Sequence, residues 1–205
     1  KCWVITFDED VTTIGNYAFE NCSNLTSVTI PDSVTTIGKN AFKDCNKLTN
    51  MIIPNSVVSI GECAFYNCSS LTDITIGSGV TLIEHEVFFH CSNLTSVTIP
   101  DSVTSIKYGA FSGCTNLAKF DGKYAVDGGR CLIVNNKLIA FAPAGITEYS
   151  IPSNVIEIGT CVFEDCSSLT SVTIPSGVTT IGNYAFDGCS RLKNVYCEAI
   201  IPPNG

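Results

Sequence analysis

The chain has 205 residues, a formal net charge of -8 and 45% hydrophobic residues, enough for one sizeable domain or one elongated array. Only 11 Lys and Arg are present, which argues against a nucleic-acid partner, because neutralising phosphates takes clustered cations. No run of about 18 apolar residues exists, so nothing reads as a membrane-spanning segment.

No signal peptide is visible. The chain opens "KCWVITF", already inside a strand-like pattern, as a mature or trimmed chain would. In "CWVITFDEDV", Ile5 and Phe7 are the candidate inward pair of a first strand. At Leu25 comes "LTSVTIPDSVTTIGKNAFKDCNKL", and from here the text repeats itself. Cys22, Cys45, Cys68, Cys91 and Cys114 are each 23 residues apart, and Cys166 and Cys189 resume that spacing. Leu25, Leu48, Leu71, Leu94, Leu117, Leu169 and Leu192 keep the same beat.

Each position of the unit has a physical reading. Leu25, Val28 and Ile30 make a short strand, with Val28 and Ile30 on one face. Pro31 lacks an N–H and ends that strand's ladder. "PDSV" is a turn, and Val34 and Ile37 send β-branched side chains inward across a polar "TT". Gly38 is expected to permit a corner. "NAFKDC" reads as a one-turn helix or tight turn that buries Ala41, Phe42 and Cys45. No such coil buries its apolar side alone, so the coils must stack.

The beat breaks once. Leu117 and Phe120 start one strand, while Ile146, Tyr149 and Ile151 start the next, 29 residues on. The V-x-x-I-G-x-x-A-F-x-x-C half is missing between them, and residues 121–145 stand in its place. "CLIV-NN-KLIAF" predicts a hairpin with Asn135-Asn136 at positive φ in the turn. Strand starts at Cys2, Leu25, Leu48, Leu71, Leu94, Leu117, Ile146, Leu169 and Leu192 give nine strand positions. At the end Cys197 takes the place of Ile30, and Pro202-Pro203 stop the coil as a C-terminal cap. The start shows no cap, which leads us to expect a preceding domain or further repeats in the natural protein. The expected fold is a right-handed solenoid over residues 1–205, one domain, with a hairpin insertion at 121–145.

The unit "LTSVTIPDSVTTIG..AF..C" resembles the BspA-like leucine-rich repeats first described in treponemal and Bacteroides surface proteins. The likeness covers nearly the whole chain, with Leu, Pro, Gly, "AF" and Cys recurring in phase. The 121–145 insertion and the closing "VYCEAIIPP" are similar to features of gut Bacteroides members, and the family also occurs in protists. The resemblance implies a non-enzymatic, secreted or surface-anchored protein with no cofactor, and adhesion to host matrix proteins or to other microbes. It carries no catalytic residue.

Twelve cysteines in an extracellular chain ordinarily suggest disulfides. Here seven of them occupy one column beside the buried "AF", and an odd number cannot all pair with one another. The expectation is a reduced, buried thiol on each coil. Cys2, Cys131 and Cys197 lie off the column and can be free or paired. Cys63/Cys68 and Cys161/Cys166 make C-x4-C pairs of zinc-ligand type, with His85 and His90 flanking Cys91. The spacing is longer than structural zinc prefers, and the partner column of Tyr17, Asn40 and Glu86 reads as exposed, so no metal site is assigned. Asp8-Glu9-Asp10 and the Glu84/Glu86 pair read as solvated turns rather than a calcium loop. Asn21, Asn24, Asn67 and Asn93 satisfy the glycosylation sequon, which matters only in a eukaryotic secretory pathway. No nucleophile elbow, phosphate loop or zinc-protease helix is present, so no enzyme activity is expected.

The outward face of the strands is small and uncharged over most rungs. One column reads Ser27, Asn50, Asp73, Ser96, Lys119, Ser171 and Asn194, and the other Thr29, Ile52, Thr75, Thr98, Thr173 and Tyr196. Hot spots favour Trp, Tyr and Arg, so the candidate partner-binding residues are the exceptions: Lys119, Asp121, Tyr124, Tyr149 (if its ring escapes the core) and Tyr196. Phe88 fits the "AF" slot, and Phe89 is expected to lean outward beside His90. The favoured function is a surface adhesion module that binds a protein or glycan. A structural spacer is the alternative, and ice binding by T-x-T-like columns a remote third.

Overall fold

The structure, a computed structural model, describes residues 3–198. Longer strands alternate with two-residue strands. The first four coils contain β1 (Trp3–Thr6) and β2 (Thr13–Ile14), β3 (Leu25–Thr29) and β4 (Thr36–Ile37), β5 (Asn50–Ile53) and β6 (Ser59–Ile60), and β7 (Asp73–Ile76) and β8 (Leu82–Ile83). β9 (Ser96–Ile99) and β10 (Ser105–Ile106) make the fifth coil, and β11 (Lys119–Gly122) opens the sixth. There the pattern changes to β12 (Ala125–Val126), a 3-10 turn at Asp127–Gly129, β13 (Cys131–Val134) and β14 (Lys137–Phe141). Regular alternation resumes with β15 (Glu148–Ser150), β16 (Glu157–Ile158), β17 (Ser171–Ile174), β18 (Thr180–Ile181) and β19 (Asn194–Cys197).

The coils stack as a right-handed solenoid of parallel strands with a 23-residue period. The longer strands fall on the nine anticipated positions, β1 to β19 by odd steps apart from the hairpin coil. Ile5 stands beside Val28, as the first-strand reading requires. The proposed cap at Pro202-Pro203, and Cys2, lie outside the described residues.

The turn after each two-residue strand differs from its sequence reading. It is not a helical turn. Two residues per coil take the left-handed conformation: Asn40 and Asp44 at φ 55 and 61°, Cys63 and Asn67 at 55 and 55°, Glu86 and His90 at 56 and 55°. Asn, Asp and Gly fill most of the second slot because they tolerate that region best. The alternation lets N–H groups serve two coils. Ala41, Lys43 and Cys45 donate three residues back, to Gly38, Asn40 and Phe42. Asn40, Phe42 and Asp44 donate to Glu62, Ala64 and Tyr66 of the next coil, at 3.0, 2.8 and 2.9 Å. The backbone of a sharp turn is thereby satisfied without a helix.

Gly38 also has a different role from the one expected. Its φ is not positive. A Cβ there would lie 2.6 Å from the Asn16 nitrogen and 2.7 Å from the Gly15 carbonyl carbon, so glycine is what allows two coils to touch. At the fourth and fifth coils Glu84 and Lys107 replace this glycine; the strand pairing between β6 and β8 is lost, and that between β8 and β10 is kept.

Inside, the "AF" phenylalanines form a stack. Phe19, Phe42, Phe65, Phe88 and Phe111 follow one another at ring-centroid distances of 5.3, 5.3, 5.6 and 5.5 Å with interplanar angles of 13° or less. The cysteine column is more than filler. Cys45, Cys68, Cys91 and Cys114 each donate an S–H to the carbonyl of the preceding coil's phenylalanine at 3.2 Å, and Cys189 does so at 3.0 Å. These thiols are free, as are all eleven cysteines among the described residues. Burial pushes Cys45 and Cys114 up to about 12, and Cys68 and Cys91 well above an ordinary thiol.

The hairpin coil divides this core. Leu132, Ala140 and Ala142 belong to the cluster of the first coils, while Cys131, Leu138 and Phe141 belong to the cluster of the last. Strand alternation gives β13 and β14 two apolar faces, one toward each cluster. That is why "CLIV" and "LIAF" are continuous apolar runs rather than alternating ones. Asn135 and Asn136 take φ of 50 and 64° at the turn, as expected. β14 then takes the vacant rung beside β16, pairing Lys137 with Glu157 and Leu138 with Ile158.

Two outcomes follow from this packing. Phe65→Ala, which removes a fully buried ring from the middle of the stack, should cost about 3–5 kcal/mol in urea melts. The second concerns thiol protonation. The folded values lie above that of an unfolded thiol, about 8.5, so the unfolded chain releases these protons first. The stabilisation is complete below about pH 8.5 and falls as pH rises toward 12. In native protein at pH 9, iodoacetamide should label the exposed Cys197 and leave Cys45, Cys68, Cys91 and Cys114 unmodified by mass spectrometry.

Candidate interaction surface

The outward strand columns are where alternation places them. Ser27, Asn50, Asp73 and Ser96 are exposed, as are Thr29, Ile52, Thr75 and Thr98. Register extends the columns through the sixth and seventh coils. Asp121 aligns with Thr98 and Lys119 with Ser96, while Glu148 aligns with Ser171 and Ser150 with Thr173. Tyr196 ends the second column beside Thr173.

The five candidate residues divide into two groups. Lys119 and Asp121 lie on the face and form an ion pair of 2.6 Å, about half exposed. Tyr196 is exposed at 57%. Tyr124 and Tyr149 are turned to structural use. The Tyr124 hydroxyl donates to the Val103 carbonyl at 3.1 Å, and Lys123 lies 5.1 Å over its ring. The Tyr149 ring does not escape the core: it is 8% exposed because it aligns with Val172, an inward position. Its hydroxyl donates to Asp127 at 2.9 Å and lies 3.4 Å from the Cys131 sulfur. Burial, then those two neighbours, raise its pKa. Phe89 also departs from expectation. It is buried, stacked on Tyr66 at 5.0 Å and on His90 at 4.3 Å, because the turns of adjacent coils sandwich it. In the column thought exposed, only Tyr17 and Tyr184 are; Asn40 and Cys161 are buried between turns.

The missing half-coil brings distant turns together. With no turn in the sixth coil, the fifth coil's turn meets the seventh's, and Ser112 Oγ donates to the Cys161 carbonyl at 2.5 Å. His90 Nε2 pairs with Asp165 Oδ2 at 2.7 Å across 75 residues. Its ring passes directly over Gly113, where a Cβ would overlap it.

The C-x4-C pairs do not converge. Cys68 donates into the core, whereas Cys63 donates to Glu86 at 3.6 Å. Among the described residues, no group of three His, Cys, Asp or Glu side chains could hold a metal ion. No helix among them is long and apolar enough to cross a membrane.

Six copies of the BspA type leucine rich repeat region match residues 1–118 and 137–202. The chain belongs to this family. The break between the two matched segments covers most of the hairpin coil, where the BspA-type pattern is replaced. A leucine rich cell surface protein from Faecalibacterium prausnitzii is 36% identical over 91% of this chain and 51% of its own, with a TM-score of 0.82. The pneumococcal vaccine antigen PcpA is 25% identical over 94% of this chain and 50% of its own, TM-score 0.83. A Treponema pallidum leucine rich repeat protein is 26% identical over 93% and 78%, TM-score 0.62. The BspA-type chain described here thus spans about half the length of the first two structures. No curated protein matches it.

A surface feature with no forewarning in the residue columns is a cleft of about 550 Å³ between β10 and the hairpin. Its only signal in the sequence is the gap itself: the half-coil that should cover β10 is absent.

The turn-to-turn contact yields a test. Gly113→Ala, at φ 71° and against the His90 ring, should cost about 1–3 kcal/mol in urea melts. His90→Ala removes only a half-exposed pair and should cost less than about 1 kcal/mol. The double variant should recover part of the Gly113→Ala loss.

Proposed function

We propose that this chain is a non-catalytic recognition scaffold, displayed outside the cell, that binds a protein or glycan partner through its strand face. The observation that carries the reading is a change in that face. Over the first five coils it is mostly small and polar, with Val4 and Ile52 exposed apolar exceptions and Asp73 its single charge. From the hairpin coil onward Lys119, Asp121, Glu148 and Tyr196 enter the same columns. Charged and aromatic side chains on a rigid, parallel array suit specific recognition. They also break the regular hydroxyl columns that ordering ice would use. The likeness to a bacterial cell surface protein at 36% identity supports the location. Adhesion to host matrix proteins or to another microbe is the use we assign to such a face.

The hairpin coil enters this reading as the element that ends the plain face and starts the decorated one. Tyr124 and Tyr149 serve it as supports rather than contacts. The test is a panel of matrix proteins and glycans probed with the parent and with Lys119→Ala/Asp121→Ala/Tyr196→Ala. Binding should fall at least about tenfold, with the urea midpoint unchanged. Tyr149→Phe should lower stability and leave affinity intact. Unchanged binding by the folded triple variant would move the contact elsewhere, and no binding to any panel member would favour a spacer.

A further inference from the structure

Among the described residues, the cleft between β10 and the hairpin leaves an edge of β10 open onto space. Five consecutive residues of this strand region, Thr104 to Tyr108, line it. Side chains of a strand alternate between faces, so a wall made of consecutive residues is a strand seen edge-on. β10 is paired on one side, by β8, and on the other by no strand.

The hydrogen bonds show what is missing. In regular coils two carbonyls of this segment accept N–H groups from the next coil. Thr35 accepts from Val58 at 2.9 Å and Ile37 from Gly61 at 2.8 Å. Thr81 accepts from Thr104 at 2.8 Å and Ile83 from Lys107 at 2.9 Å. At β10 the equivalent carbonyls are those of Thr104 and Ile106. Among the described residues no backbone N–H donates to either, and Thr104 receives only a 3.5 Å contact from the Tyr124 hydroxyl. The pairing between β6 and β8 is also broken, but there the next coil packs directly alongside. At β10 the hairpin cannot close the gap, because β14 already has β13 on one edge and β16 on the other.

We infer that this cleft is a docking groove for an extended peptide segment, which adds to β10 as a parallel strand in the slot of the missing half-coil. Addition of a strand to an open sheet edge is a general mode of peptide recognition. The volume, about 550 Å³, suits a segment of three or four residues, about 10–13 Å long. The far wall offers Val134 and Ile139 to one side chain. Lys137, paired with Glu157 at 2.5 Å, gives a polar rim. The chemistry of the occupant follows from what the fold sets in this slot elsewhere: β-branched residues in the pattern V-x-x-I, with free N–H groups at the residue after Val and the residue after Ile. This inference rests on the reading of the chain as a recognition scaffold but concerns a surface separate from the strand face.

The probe is the capped, fluorescein-labelled peptide SVTTIGK, the sequence of residues 33–39. Its N–H groups at the positions of Thr35 and Gly38 are the two that reach the preceding coil in the native stack, at 2.9 and 2.8 Å. Fluorescence anisotropy should show saturable binding below about 1 mM. A peptide N-methylated at those two positions should bind at least about tenfold more weakly. Ile139→Trp, which fills the groove, should weaken the parent peptide by a similar factor, with its fold checked by circular dichroism. On the parent protein, the carbonyl ¹³C resonances of Thr104 and Ile106 should shift on binding. Absence of binding, equal affinity for the N-methylated peptide, or shifts confined to other residues would overturn the inference. A loss of array binding in the strand-face variants leaves this result unaffected, so the two readings fail separately.

Discussion

The stack depends on one constraint: every coil must complete its backbone hydrogen bonds on its neighbours. The turn after each two-residue strand sends alternate N–H groups to its own coil and to the next. That works only if the next coil presents its carbonyls at the same height, which a constant 23-residue period secures. Side chains of the repeat join the same system. Ser33, Ser56 and Ser102 donate to the preceding coil's valine carbonyl at 2.8, 2.8 and 2.7 Å, and the cysteine column donates to the phenylalanine carbonyls. The monotony of the sequence is therefore a demand of the stack. It says little about a ligand, because most of the repeated polar groups are already bonded.

The sixth coil shows what happens when the constraint is broken once. Without a V-x-x-I-G-x-x-A-F-x-x-C half, two apolar clusters would end on open faces. The hairpin closes both, since a strand has two sides and here both are apolar. The fifth and seventh turns approach each other, and His90 reaches Asp165 over Gly113. The edge of β10 stays uncovered. A single departure from the period thus gathers the non-repeating features of the chain: the new charges on the strand face, the turn-to-turn contact and the cleft.

Much of this was legible because strand alternation is a short-range rule. The inward places of Val28 and Ile30, the outward columns, the Asn-Asn hairpin turn and the exposure of Lys119 and Tyr196 all follow from counting by two. The rule fails where a side chain's surroundings come from another coil. With Phe88 in the "AF" slot, the sequence places Phe89 outward, yet Tyr66 of the preceding coil covers it. Within its own coil Gly38 reads as a conformational need, yet the reason for it is the backbone of the preceding coil. Tyr149 held an inward register position, and the partners of its hydroxyl come from the hairpin coil.

The sequence by itself determined the period, the handed stack of nine strand positions, the buried thiol column and the place of the hairpin. These are local or strictly periodic properties, and one coil's residues suffice to state them. Only the tertiary structure decided that the hairpin is a wall between two cores and that the cysteines are donors to phenylalanine carbonyls. It also decided that the strand of the fifth coil keeps a free edge. Each of these is a relation between coils, set by which backbone groups find a partner 22 to 26 residues away. A missing segment appears in a sequence as a shorter or longer gap, and the space it leaves exists only once the neighbours are in place.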